Sequence, residues 1–557
     1  MLRHLIAAFA VLSFPVVVNA QWQFNGVPVS TANHYQADPQ IVTDGAGGAI
    51  IAWFDYRNGD YDIYAQRLNA AGVPQWTADG VPLCTQAGNQ ITISMVSDDA
   101  GGAVVVWYDA RNSIGTGLDI YAQRVNCSGT ALWTADGQLV CGEANNQNDP
   151  VVIKNSSNFI VAWFDYRLAG VADIYVQSLH PLSGASQWLP DGVLLCGATG
   201  NQLHPRLTSD GSGSTIVTWE DRRGGPEDIY ARKINSAGGV QWAGDGVVVC
   251  NATAEQYDPQ IVADGAAGAI IAWYDWRGGP PDIYMQRLNS GGAPLWTGNG
   301  LAICTAPFTQ DAPSLVQDAG GGATVVWQDS RNGANSDIYA QHVNNLGAAY
   351  YPANGIAVCT AGGNQLSPKI TRDAASAGIV TWFDLRSGNA DVYAQRVDYV
   401  NGSGLWTPEG VVLCTEGHAQ ELPVAVSDGS GGAIVAWRDL RQEFYYDVYA
   451  EHVNGTPTPV GRTPAAPALR VTNHPNPFTA TTTLELVLSS ASDVEIDVYD
   501  VAGRRVASRL LEDAAAGSHA LPFPSIAADG TPLVSGVYFC RIRAAGETVT
   551  RKMVIAR

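Results

Sequence analysis

The sequence predicts an all-β fold: an eight-bladed β-propeller of four-stranded repeats about 54 residues long, followed by an Ig-like β-sandwich. Three observations carry this. A Trp-x-Asp-x-Arg signature recurs at Trp53, Trp107, Trp163, Trp219, Trp273, Trp327, Trp382 and Trp437. A second aromatic, four residues before a Gly that opens an apolar strand, recurs at Trp22, Trp76, Trp133, Trp188, Trp242, Trp296, Tyr351 and Trp406. The composition, with 60 Gly and only 15% charged residues, suits short strands punctuated by turns.

In chain order, Arg3 and His4 precede an apolar run from Leu5 to Val18, closed by Asn19-Ala20. This reads as a secretory signal over residues 1–20, since the run is shorter than the ~20 residues of a bilayer span. The propeller is expected over residues 21–454. Its first unit shows strand signals at 39–42, 49–57, 62–69 and 81–85, with Asp44-Gly45 turning between the first two. A β-solenoid is the alternative, but phase favours a ring. The last unit ends near Asn454 after three strands, and the first strand signal, around Gly26 to Thr31, supplies the fourth. A ring sealed this way leaves no open sheet edge.

Residues i, i+2 and i+4 of a strand share a face, so Trp53, Asp55 and Arg57 line up together. A loop of residues 58–61 would set Arg57 opposite Asp62 and Asp55 opposite Tyr64. The same set recurs as Trp219, Asp221, Arg223, Asp228 and Tyr230. The expected role of this ladder is structural; eight equivalent sites for a repeated ligand are the alternative. Catalysis is not expected of it, because an active site brings unlike groups to one point.

Seven cysteines, Cys84, Cys141, Cys196, Cys250, Cys304, Cys359 and Cys414, fall at one repeat position, where the first copy has Ser30. Equivalent positions in adjacent blades are ~10 Å apart, too far for a disulfide, so these read as free, buried, small side chains. Cys127 and Cys540 lie out of register. There is no CxxC, no His cluster, and only one Asp-x-Asp hairpin, Asp60 to Asp62. No cofactor and no metal site is expected. Residues 21–459 carry 43 acidic against 20 basic side chains, and residues 470–557 nine of each; the acidity of the first region disfavours nucleic acid as a partner. No pattern fixes an oligomeric state.

Blades differ mainly in their loops, where recognition concentrates. Trp276 in the fifth unit and Phe444, Tyr445 and Tyr446 in the eighth are the candidate ligand-binding residues, suited to stacking on sugar rings or to a protein partner. Catalytic residues are not assigned.

A Pro-rich linker is expected over residues 455–470, and a compact strand-rich domain over residues 471–557. Within it stand Asn473-His474-Pro475-Asn476-Pro477-Phe478, Val498-Tyr499-Asp500-Val501-Ala502-Gly503-Arg504, Ser535-Gly536-Val537-Tyr538-Phe539 and Arg551-Lys552-Met553-Val554-Ile555. This ordered set resembles the C-terminal sorting domain of the type IX (Por) secretion system and the related flagellar-hook-capping Ig-like domain. The resemblance implies engagement with outer-membrane secretion machinery and a place outside the cell or on its surface. The expected function is a secreted or surface, non-catalytic binding or adhesion scaffold for a glycan or protein. The alternative is a secreted polysaccharide-acting propeller enzyme, hydrolase or lyase, although no Ser-x-Asp-x-Gly-x-Thr-Trp box is present. A purely architectural role is the third reading.

Overall fold

The computed structural model describes residues 22–456 and 469–556, apart from 116, 169, 374–376, 489–490, 502, 528–529 and 545–546. The expected signal peptide and most of the expected linker lie outside the described residues. The chain forms two compact units that divide after Pro457, and among the described residues every regular element is a strand.

The first unit is an eight-bladed propeller. Blade 1 consists of Gln36–Thr43, Ala49–Asp55, Asp62–Leu68 and Val81–Cys84, from the axis outward. Its second and third strands are apolar on both faces because a neighbouring blade covers each face, which is why they read as unbroken hydrophobic runs. The core therefore lies between blades. Ile50, Ala52 and Ile63 of blade 1 pack with Val105, Trp107 and Val125 of blade 2. Blade 8 takes its outer strand from the other end of the chain: Val27–Ser30 pairs with Asp447–Val453, Val27 opposite Ala450 and Ser30 opposite Val448.

Two aromatic landmarks hold the blades together. Gly80 stands four residues after Trp76 because its backbone has φ +86° and a Cβ there would lie 2.6 Å from the Trp53 ring. The second-landmark aromatics reach across to the next blade. Trp76 Nε1 donates to the carbonyl of Cys127 at 3.1 Å and Trp188 Nε1 to that of Ser236 at 3.2 Å, while Tyr351 Oη donates to that of Asp398 at 2.6 Å. Beneath the first strand of seven blades an aspartate of the turn pairs with a basic residue of the third strand, as Asp44 with Arg67 at 2.9 Å and Asp428 with His452 at 2.8 Å. In blade 3 both partners are exchanged for neutral ones, Asn155 and Ser178.

The second unit is a β-sandwich. One sheet holds Leu469–His474, Thr481–Leu488 and Gly517–Pro524; the other holds Arg505–Ala514, Ser492–Asp500, Gly536–Ala544 and Glu547–Ile555. Leu484, Leu486, Val494, Ile496, Val498, Cys540 and Ile542 are among the residues of their shared core. The Asn-Pro-Phe motif docks on the last strand: Asn476 Nδ2 donates to the Lys552 carbonyl at 3.0 Å and its Oδ1 accepts from Val554 N at 2.7 Å. Phe478 is buried beside it and bonds Val554 and Ala556 through its backbone.

Candidate functional site at the channel mouth

The recurring ladder is the first site candidate, and its register differs from the count made on the sequence. Asp55 faces Asp62 and Trp53 faces Tyr64. The reason is a local turn: Asp55 Oδ1 accepts the Arg57 backbone N–H at 3.0 Å, which withdraws residues 56–61 from the ladder into the hairpin loop. Trp53 Nε1 donates to Asp55 Oδ2 at 2.8 Å, and Arg57 donates to both carboxylate oxygens. The guanidinium carbon lies 3.9 Å over the Tyr64 ring. Trp219, Asp221, Arg223 and Tyr230 repeat this with bonds of 2.6–2.9 Å and a ring distance of 3.9 Å. Asp62 and Asp228 sit beside these carboxylates, and burial first, then the neighbouring negative charge, pushes each up to about 6. Both carboxylate oxygens of Asp55 thus accept protein donors.

The repeated cysteines are buried and free, as the spacing requires, and Cys127 is free and exposed. They are more than small apolar filler. Arg223 Nη2 donates to Cys196 Sγ of the preceding blade at 3.2 Å, and Arg277 to Cys250 at 3.0 Å. Ser30 plays the same part where the ring closes, accepting from Arg57 at 3.3 Å.

What varies from blade to blade is gathered at one end of the channel. Each innermost strand carries a bulge three residues in, at Asp38, Thr92, Asp149, His204, Asp258, Ala312, Ser367 and Leu422, with φ between 49° and 54°. Pro follows in seven of the eight, tolerated because the innermost strand is a sheet edge and needs no inward N–H. Bulges aim side chains away from the ladder, and here they ring the channel mouth. A second-strand residue of one blade then meets the bulge of the next. Arg438 pairs with Asp38 at 3.5 Å, Phe164 lies edge-on to His204 at 5.8 Å, and Glu220 accepts from Asp258 N at 2.8 Å.

The seam between blades 8 and 1 holds the densest aromatic group. Tyr35 and Tyr445 meet at 5.0 Å, His34 and Tyr445 at 5.2 Å, Tyr56 and Tyr61 at 4.9 Å, and Phe54 and Tyr61 at 5.1 Å. Polar groups border it: Tyr446 Oη donates to Glu421 at 2.9 Å, and Arg438 lies 2.8 Å from Glu421 and 4.6 Å over the Tyr446 ring. Burial raises the Asp38 carboxyl, against the pull of Arg438. Of the four candidate ligand residues, Phe444 and Tyr445 are exposed at 70% and 40%, Tyr446 is half-buried, and Trp276 is exposed three blades away in the ring. The fold thus brings three of them together and leaves Trp276 apart. His34, Tyr35, Tyr56, Tyr61, Asp38, Glu421 and Arg438 were not singled out from the sequence. Their signal was departure from the repeat: Tyr56 and Tyr61 in the first hairpin, and Arg438 where five other blades have Phe or Tyr.

Opposite the seam the mouth is charged. Asp149 takes His204 Nδ1 at 3.1 Å and Arg206 at 3.5 Å; although burial opposes it, this pairing holds the Asp149 carboxyl low, and the bond to Asp149 raises His204. Burial, then Asp258, pushes Asp311 up to about 6. Burial and the same carboxylates push Tyr274 up to about 12.

These features define a β-propeller whose variable surface is a channel mouth. Residues 473–556 match the secretion system C-terminal sorting domain, and this unit places the protein at the cell surface or outside the cell. No curated protein matches the chain. Among solved structures it is similar to a polysaccharide lyase, an ulvan lyase bound to -[GlcA(1-4)Rha3S]-, at 11% identity and TM-score 0.45, covering 69% of this chain and 97% of that one. It is also similar to PorZ, a surface component of the type IX secretion system of Porphyromonas gingivalis, at 13% identity and TM-score 0.37, covering 94% and 70%. A thermostable family-43 glycoside hydrolase is similar at 12% identity and TM-score 0.27, covering 49% and 95%.

Proposed function

We propose that this protein is a non-catalytic binding scaffold of the cell surface or its surroundings, and that its ligand is a glycan held at the upper end of the propeller, over the seam of blades 8 and 1. Residues 1–20 would direct its secretion and residues 455–470 would join the propeller to the sorting domain. The observation that carries the reading is the seam itself. Tyr35 and Tyr445 offer apolar ring faces beside Glu421, Arg438 and Asp38, the combination of flat apolar surface and fixed polar groups that a sugar ring requires. The Trp-Asp-Arg ladder serves the fold.

The test is a glycan array probed with the full secreted chain, followed by titration of the best hit against Tyr445→Ala and Tyr35→Ala. Each variant is expected to lose about tenfold in affinity, some 1.4 kcal/mol, with an unchanged melting temperature. Binding that survives both replacements would overturn the assignment to the seam, and a protein ligand would be the next candidate.

A second reading, a secreted polysaccharide hydrolase, is favoured by one observation. Burial, then Asp258 on the adjacent blade, raises Asp311 to about 6, and a carboxyl raised in this way suits a general-acid role. Release of reducing ends from array-positive polysaccharides, abolished by Asp311→Asn, would establish it.

A further inference from the structure

Below the bulges, the innermost strands present one more ring of equivalent residues: Gln40, Ser94, Val151, Arg206, Gln260, Ser314, Lys369 and Val424, each the first residue at which the ladder resumes. This level holds two cations, several neutral hydrogen-bond donors and no carboxylate. Lys369 is solvent-exposed into the channel and forms no ion pair among the described residues. The surrounding walls still desolvate it and lower its ammonium, with Asp258 supporting the charge and Arg206 opposing it. Arg206 belongs to blade 4 and Lys369 to blade 7, so the two cations occupy equivalent positions in separate sectors of the ring.

The hydroxyls point the same way. Ser94 Oγ accepts from Val152 N and Ser314 Oγ from Ile370 N, both at 3.2 Å. Each hydroxyl oxygen thereby accepts one bond, and its hydrogen remains to donate. Arg206 is anchored on one side by Asp149 and by its own neighbour's carbonyl, Pro205 O, at 2.9 Å, and keeps further N–H groups. A ring that holds two cations, neutral hydrogen-bonding side chains and no carboxylate at its own level is complementary to a compact anion.

We infer that the channel, at the level of Arg206 and Lys369, binds the anionic group of an acidic sugar, a carboxylate or a sulfate ester, presented by a glycan at the mouth. The inference rests on the glycan reading for its ligand class. The acidic exterior is consistent with it: a polyanion lying along the surface is repelled, whereas one anionic group inserted at the axis meets a level with two cations and no carboxylate of its own.

The experiment titrates the full secreted chain with D-glucuronate, inorganic sulfate and D-glucose, read by calorimetry and by thermal shift. Glucuronate or sulfate is expected to bind and stabilise while glucose does not; which anion is preferred identifies a carboxylate or a sulfate ester. Lys369→Gln should weaken the anion at least tenfold and Lys369→Arg should largely restore it, which separates lost charge from lost folding. Anion binding without any array hit would support this site and sink the glycan reading. Array binding of neutral glycans with no response to either anion would overturn this site and leave the seam intact. Equal anion affinity in Lys369→Gln and the parent would also overturn it.

Discussion

Replacing Glu451 with Gln should stabilise the propeller, and more so as the pH rises. In blade 1 the corresponding Gln66 is buried: Nε2 donates to the Thr77 carbonyl at 2.8 Å, and Oε1 accepts from Arg67 N and Trp76 N at 3.0 Å. Blade 8 has Glu451 instead, fully buried under the N-terminal strand. One of its oxygens takes His452 N at 3.1 Å, and the other takes Gly26 N at 3.2 Å on the side where Gln66 donates. As a carboxylate it has no proton to offer where Gln66 donates. Burial pushes its carboxyl from 4.5 up to about 8. A carboxyl raised on folding binds its proton more tightly in the native state, so stability falls as pH rises between the unfolded and folded values. Relative to the neutral amide, the cost grows from about 1 kcal/mol at pH 5 to about 4 kcal/mol at pH 8. For a unit of this size, melting with an entropy of ~2.1 cal/mol/K per residue, that is roughly 1 °C at pH 5 and 5 °C at pH 8. Differential scanning calorimetry of both proteins at the two pH values measures it. Using the difference between them removes the other buried carboxyls, Asp228 and Asp282 among them, whose pushed-up values tilt both curves alike. A shift independent of pH, or one that shrinks at pH 8, would refute the reasoning.

Asp221→Ala leaves Trp219 Nε1 and Arg223 without their shared acceptor, and should cost about 3–5 kcal/mol in chemical denaturation while ligand affinity stays unchanged. Cys250→Ser should fall within about 1 kcal/mol of the parent, because Ser30 already meets Arg57 in that role, and Cys250→Val should cost no more than about 1 kcal/mol beyond it, because Arg277 keeps Asp275 and the Asn299 carbonyl as acceptors. Gly238→Ala should destabilise by at least about 1–2 kcal/mol, since φ is +81° and the new Cβ would lie 2.8 Å from the Trp188 ring; thermal melting checks both. Asp428 is the opposite pH case to Glu451. Burial works to raise it, but the bond from His452 and the backbone donors of the turn hold it at about 2, so its stabilisation is present above the unfolded value and lost as pH falls toward 2. In Asp428→Asn the acid-side loss measured by circular dichroism should be correspondingly smaller.

The repeat was legible because its constraints are local and repeated. A Trp, an Asp and an Arg at i, i+2 and i+4 must share a strand face, and eight copies of that face with four strand signals each leave few folds. Ring closure was legible in the phase of Val27–Ser30 against Asp447–Val453, and the sorting domain in the order of its short motifs. The hairpin register was not, because it depends on one bond, from the Arg57 backbone to Asp55, that decides whether six residues belong to the ladder or to the loop. The Gln-x-x-Pro step that opens seven innermost strands was visible in the sequence, but only the bulge shows that the residue before Pro turns toward the mouth. The seam, and the ring of Arg206 and Lys369, join residues hundreds of positions apart. How each blade is built follows from the order of residues along the chain, since a blade is held by neighbours in the chain. Which blades face one another across the channel, and hence which side chains meet there, was decided only by closing the ring, where contacts depend on angle around an axis and not on distance along the chain.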